Sequence, residues 1–208
     1  GPRINAAGRL EDMAVGIECL LTDDPVVAGR HAAALDEINK TRRDIESTMR
    51  EQAFAYVESL GQRKWPSCVC VFDASWHQGI VGLVAARVRE KCHRPAVAFA
   101  REGDGRLKGS ARSIPGVHAR DLLEAVSSRH PGLIVKFGGH AMAAGLTIAE
   151  TDYEAFAGAA AAQLDRLYPN ADFSGAIASD GVIGDEDIAR WGGLLPVARA
   201  LREAGPWG

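Results

Sequence analysis

The stretch CVCVFDASWHQGIVGLVAARVREKCHRPAVAFA, residues 68–100, holds the pattern from which the fold is read. Its opening CVCVFD (68–73) is a short apolar run rich in valine, which reads as a buried strand. GIVGLVAARVREKC (79–92) spaces its apolar residues as a helix does, and AVAFA (96–100) returns to a short apolar run. Strand, helix and strand within about 30 residues make a β-α-β unit. Further along, Gly103-Asp104-Gly105 supplies a tight turn into LKGSARS (107–113), predicting a hairpin partner for the second strand. Residues 118–129 read as a helix, LIVKF (133–137) precedes a glycine pair, and AAGLTIA (143–149) reads as another strand. A last helix is expected from Thr151, where Thr-x-x-Glu with Glu154 has the form of a capping box, to about Leu167. The expected class is α/β with a mixed sheet, over residues 67–169.

Toward the N-terminus, residues 1–11 read as a loop with Arg3 and Arg9, and Asp12 as the cap of a short helix burying Met13, Ile17, Leu20 and Leu21. Asp24-Pro25 is a strong helix start. Val27, His31, Leu35, Ile38, Ile45, Met49, Tyr56 and Leu60 then recur at helical spacings up to Gly61. One helix of about 50 Å is predicted at 1.5 Å per residue, too long for a compact unit of this size. Residues 1–66 are therefore expected to be a loop and a helix connecting two domains. Past Tyr168-Pro169 the pattern weakens: 178–184 suggests a strand and turn, and 187–205 one or two helices, in a partial next module over 170–208. The start without Met and the closing Gly-Pro-Trp-Gly suggest a piece of a larger protein.

Hydrophobic residues make up 47% and charged residues 25%, as expected of a chain that folds. No apolar run is long enough to span a membrane and no signal peptide is visible, so a cytoplasmic protein is expected. Cys19, Cys68, Cys70 and Cys92 do not have zinc spacing and are read as reduced thiols. The formal net charge of -3 exerts no global pull on a polyanion. Any nucleic-acid contact must come from a local cluster of cations.

Four constellations could carry chemistry. In Phe137-Gly138-Gly139-His140, the glycines would let amides approach an anion, and the histidine would donate to a phosphate or move a proton. The plain alternative is a tight turn capped by the histidine. In 106–113, strand alternation puts Arg106, Lys108, Ser110 and Arg112 on one face, with Ser113 following. Guanidinium and hydroxyl suit phosphate oxygens; the alternative is an edge strand kept soluble by charge. Trp76-His77-Gln78-Gly79-Ile80-Val81-Gly82 sits where a strand meets a helix N-terminus, a weak anion motif. Asn5, Arg3 and Arg9 lie in the N-terminal segment. Asp-His-His, H-E-x-x-H and carboxylate pairs fit to hold two metals are missing, so no metal ligands are expected within the chain.

Taken in order, GPRINAAGRL (1–10), WHQGIVG (76–82), LKGSARS (107–113), KFGGHAMAAG (136–145) and LREAGPWG (201–208) resemble consecutive motifs of the RecJ family. The resemblance implies a DHH-associated domain after a long connecting helix, and from about Tyr168 the truncated start of an oligonucleotide-binding module. It also implies a full-length exonuclease that degrades single-stranded DNA from the 5′ end with manganese or magnesium, in recombination and repair. The metal-binding Asp-His-His domain would lie upstream, leaving this chain metal-free and inactive alone. Ser110 and Arg112, with Lys108 and Ser113, would hold a DNA phosphate, the 5′ one by family pattern. His140 and the amides of Gly138 and Gly139 would face the scissile region, and Asn5 and Arg9 would touch the strand or cleft. Ala111 departs from the glycine usual in the family. Single-stranded DNA is the implied partner of a monomer, with single-strand-binding protein and helicase as further candidates. The alternatives are the substrate domain of a DHH-family oligonucleotide phosphodiesterase, or a protein-interaction module.

Overall fold

The computed structural model describes residues 1–61, 65–175 and 181–205. The N-terminal segment, expected to be a loop, is a helix, α1 (Pro2–Leu10). Pro2 sits in its first turn, where a missing N–H costs nothing. Tertiary packing then overrides the loop-like glycines: Ala6 and Ala7 are buried against Leu35 and Ile38. Asp12 does assist the next helix, α2 (Ala14–Leu21), by accepting a hydrogen bond from the Ala14 amide at 2.9 Å. Its orientation is the reverse of that expected. Met13, Ile17, Leu20 and Leu21 are exposed, and Gly16 is the buried residue, pressed against Ile4. A close approach through glycine fixes the docking face and turns the bulky residues outward.

The long helix α3 (Pro25–Ser59) starts where Asp24 and Pro25 place it, the Asp24 carboxylate accepting from the amides of Val26 and Val27. Of the expected face, Leu35, Ile38 and Met49 are buried, whereas Tyr56 is exposed and Ala53 and Val57 take the inner positions. The helix serves two cores in succession. Leu35 and Ile38 pack with α1, and Met49, Ala53 and Val57 pack with Val69, Val71, Ile80 and Val84 of the α/β body.

That body has five strands, β1 (Val69–Phe72), β2 (Ala96–Gly103), β3 (Arg106–Arg112), β4 (Lys136–Gly139) and β5 (Ala143–Ala149), ordered β1-β2-β3-β5-β4. β1 and β2 are parallel and the other pairs antiparallel, the mixed sheet that was expected. The crossover helix α4 (Val81–Cys92) lies with α3 on one face, over Ala96, Ala98 and Ala100. On the other face α5 (Ala119–Arg129) and α6 (Tyr153–Leu167) cover Val97, Phe99, Leu107 and Ile148. Phe99 meets the rings of Tyr153 and Phe156 edge-on. Polar ties fasten α3 to the body: Trp76 Nε1 donates to Gln52 at 2.8 Å, Lys91 pairs with Glu58 at 2.7 Å, and Arg87 lies 3.7 Å from Glu46.

The capping box expected at Thr151 does not form. A 3-10 turn over Glu150–Asp152 leads into α6, no side chain caps it, and Glu150 pairs instead with Arg101 on β2. All four thiols are free, with Cys68, Cys70 and Cys92 buried.

Residues 174–208 form a separate unit, with α7 (Asp185–Arg190) and α8 (Leu194–Glu203). The strand and turn expected over 178–184 falls partly outside the described residues, and 181–184 are irregular. The last three residues of LREAGPWG also lie outside them.

Candidate nucleic-acid interface

Alternation on β3 is as the sequence implies: Leu107, Gly109 and Ala111 are buried, while Arg106, Lys108, Ser110 and Arg112 face the other way. The strand is not an edge. β2 and β5 pair with it on either side, so unpaired backbone does not account for its charge.

Arg112 is held beside Ser110, its Nη1 donating to the Ser110 hydroxyl and to the Ala111 carbonyl, both at 2.8 Å. The guanidinium lies over the first turn of α4. A Cβ on Gly82 would stand 2.7 Å from Arg112 Nη2 and 3.2 Å from Ser110 Oγ, so the pocket exists because residue 82 has no side chain. Burial lowers the Arg112 pKa, and the positive charges of Arg9 and Arg89 act in the same direction. Among the described residues no carboxylate lies within ion-pair distance of Arg112. A partly desolvated guanidinium beside a hydroxyl, with no counter-ion, is an arrangement suited to an anion.

Arg9 comes to this place on α1. Its backbone carbonyl abuts Gly79, where a Cβ would lie 2.0 Å from the oxygen, and its Nη1 donates to the Gly79 carbonyl at 3.2 Å. Asn5, one turn earlier, is on the same side of α1 and exposed. His77 accepts from the Gly79 amide at 3.1 Å and so shapes the turn into α4.

His140 sits at the turn between β4 and β5, its amide donating to the Ala143 carbonyl at 2.8 Å. Ala143 is the register partner of Arg112, so His140 and Arg112 share one end of the sheet, two strands apart. Two strand spacings amount to about 10 Å. The His140 imidazole is exposed and makes no hydrogen bond among the described residues, which leaves the capping alternative without support. Gly139 needs its lack of a side chain, having a φ of 150° and standing against Ala144. Gly138 is open to solvent.

Two residues depart from the motif reading. Ser113 is buried and its hydroxyl donates to the Val117 carbonyl at 2.6 Å, so it supports the loop after β3 and does not join the pocket. Lys136, which opens the KFGGHAMAAG motif but was given no role there, lines a groove of about 300 Å³ with Lys108, Gly138 and Gly145. Lys108 and Lys136 both register with Thr147, which was legible only once the pairing of β4 with β5 was known. A larger depression of about 840 Å³, between α6 and the segment after α5, lies elsewhere and contains none of these residues.

This fold, with a cation-bearing β3 and a glycine-histidine turn between β4 and β5, defines a DHHA1 domain, whose family model matches residues 66–166. Every part of the chain aligns with proteins described as single-stranded-DNA-specific exonuclease RecJ. Identity is 45% to the one from Dickeya dadantii and 42% to that of Escherichia coli, each over 210 residues. The chain belongs to the RecJ family. It spans 36% of the length of these curated relatives. The crystal structure of RecJ with Mn2+ from Thermus thermophilus superposes with a TM-score of 0.78 at 27% identity, covering 100% of this chain and 28% of that one. A structure of the same protein with Mg2+ gives 0.77.

Proposed function

We propose that this chain is the DNA-gripping part of a single-strand-specific 5′-to-3′ exonuclease, in which it binds the strand opposite a metal-bearing catalytic domain. The observation that carries the reading is Arg112, half-buried beside Ser110 with no carboxylate partner among the described residues. A phosphate oxygen placed there would gain charge-assisted hydrogen bonds and relieve the crowding of positive charge. Lys108 and Lys136 would follow the backbone along the sheet, and Gly138 and Gly139 would keep the approach to the sheet open. His140, free at the same end, would face the reacting phosphate, and Asn5 and Arg9 would bound the strand from α1.

RecJ from Thermus thermophilus has been solved with Mn2+ and with Mg2+, and a divalent cation is proposed for the complete protein here. The described residues of this chain do not fit such an ion. Among the described residues no three His, Cys, Asp or Glu side chains gather as ligands. Ligands for the cation would come from outside the described residues.

The test is binding of the chain to single-stranded DNA with and without a 5′ phosphate, over a range of salt. Affinity that falls as salt rises, and is greater for the phosphorylated end, supports the reading. Binding that salt does not alter, or none, would leave the domain as a protein-docking module.

A further inference from the structure

The turn that carries His140 is held from outside its hairpin. Its ends close through the His140 amide, which donates to the Ala143 carbonyl at 2.8 Å. The two carbonyls between them accept from the segment that follows β3: the Ser113 amide donates to Met142 at 2.9 Å and the Ala119 amide to Ala141 at 2.7 Å. Both donors thus lie on residues 113–119, which begin directly after Arg112 and end on the first residue of α5. The shape of that segment is fixed from within. The Ser113 hydroxyl donates across it to the Val117 carbonyl at 2.6 Å, the Val117 amide donates to the Ile114 carbonyl at 3.2 Å, and Gly116 takes a φ of 83°. Ser113, Ile114 and Val117 are buried, a setting in which a hydrogen bond is costly to lose. Exposed and without a hydrogen bond among the described residues, the His140 imidazole is placed by the backbone of its turn.

We propose that Ser113 is a positioning residue for His140: its hydroxyl sets the segment whose amides hold the His140 turn, so that the residue gripping the phosphate and the residue facing the reacting bond keep a fixed separation. The inference rests on the proposed role of His140 and adds to it the groups through which that role is delivered. Ser113 itself touches no DNA. Its effect passes through the Ser113 and Ala119 amides to the turn, and a misplacement of about 1 Å at a reacting group can cost about 100-fold in rate. Binding is left to Arg112, whose own contacts, Ser110 and Ala111, lie on β3 and not on the segment.

The experiment uses the complete protein with Mn2+ and single-stranded DNA, reading single-turnover rate and affinity on one preparation well below the melting temperature. Ser113→Ala should lower the rate by about 10-fold and leave affinity within about 2-fold of the parent. Ala119→Pro takes away the other donor without touching Ser113: proline suits the first residue of a helix, and His118 before it is already extended, at φ -89° and ψ 110°. It should lower the rate in the same way, and it carries the test if Ser113→Ala does not fold. A double-mutant cycle separates positioning from general loosening. Added to His140→Ala, either change should cost less than about a further 2-fold, because no imidazole is left to misplace. A rate that neither variant alters, or an equal loss with and without His140, overturns the role of Ser113, while a slow His140→Ala variant in the same series keeps the reading of His140. If His140→Ala itself turns over at the parent rate, it is the reading of His140 that fails, and the inference with it.

Discussion

Arg112 occupies the space that a side chain at Gly82 would need: a Cβ there would stand 2.7 Å from its Nη2. The nearest backbone is not involved, so a methyl group would be accommodated by moving the flexible end of the arginine. Gly82→Ala is therefore expected to leave the melting temperature unchanged or higher, since alanine favours a helix by up to about 1 kcal/mol over glycine. Affinity for single-stranded DNA should fall by about 10-fold. A variant that melts as before and binds as before would show that the placement of Arg112 is immaterial.

Removing the guanidinium tests the same pocket from the other side. Arg112→Ala should weaken single-strand binding by about 10- to 150-fold at moderate salt, the range for a charge-assisted hydrogen bond. The slope of log affinity against log salt should become shallower by about 0.7, as when one phosphate is no longer neutralised. Sequence preference should not move, because phosphates carry no base identity.

In the complete protein, taken as the exonuclease proposed above, His140→Ala should lower turnover by about 100-fold with a much smaller effect on DNA affinity, as for a donor that acts mainly in the transition state. Single-turnover rates and binding isotherms on one preparation separate the two. A rate within about a factor of two of the parent would make His140 only a turn residue.

The 208-residue chain, incubated with end-labelled single-stranded DNA and Mn2+, should leave the DNA intact, because its described residues gather no ligand set for a cation. Shortening of the labelled strand by highly purified chain would refute this.

Native thiol labelling should be selective. Burial raises the Cys92 pKa to about 11, and Cys68 and Cys70, before and within β1, are buried, leaving Cys19 as the half-exposed thiol. Mass spectrometry after brief alkylation at about pH 8 should find one adduct in the native chain and, in denaturant, an adduct on every cysteine.

The sheet was readable because its signals are local. CVCVFD and AVAFA are apolar on both faces, Gly103-Asp104-Gly105 is turn chemistry, and the alternation along 106–112 survives in β3 unaltered. The errors arise where distant packing decides. α1 is helical because Ala6 and Ala7 meet Leu35 and Ile38, partners about thirty residues away that its own glycines do not announce. α2 shows its large apolar residues because Gly16, docking on Ile4, sets its rotation. For the candidate site, the motifs brought out Ser110, Arg112 and His140, but their shared end of the sheet depends on the β3-β5-β4 register. Gly82 stood in the motif over 76–82, but what it makes room for, the Arg112 guanidinium, comes from the packing of α4 on β3, and the place of Ser113 from a hydroxyl turned into the interior.

The double packing of α3 makes the helix a gauge block. Leu35 sits in one core and Met49 in the other, fourteen residues apart, a separation of about 21 Å along the axis and nearly four whole turns. One residue inserted between them would turn α1 by about 100° relative to the sheet and lift Arg9 off Gly79. On this geometry α3 should tolerate substitution better than insertion or deletion: its amino acids can change, but its count between the two cores sets where α1 delivers Arg9 against Gly79.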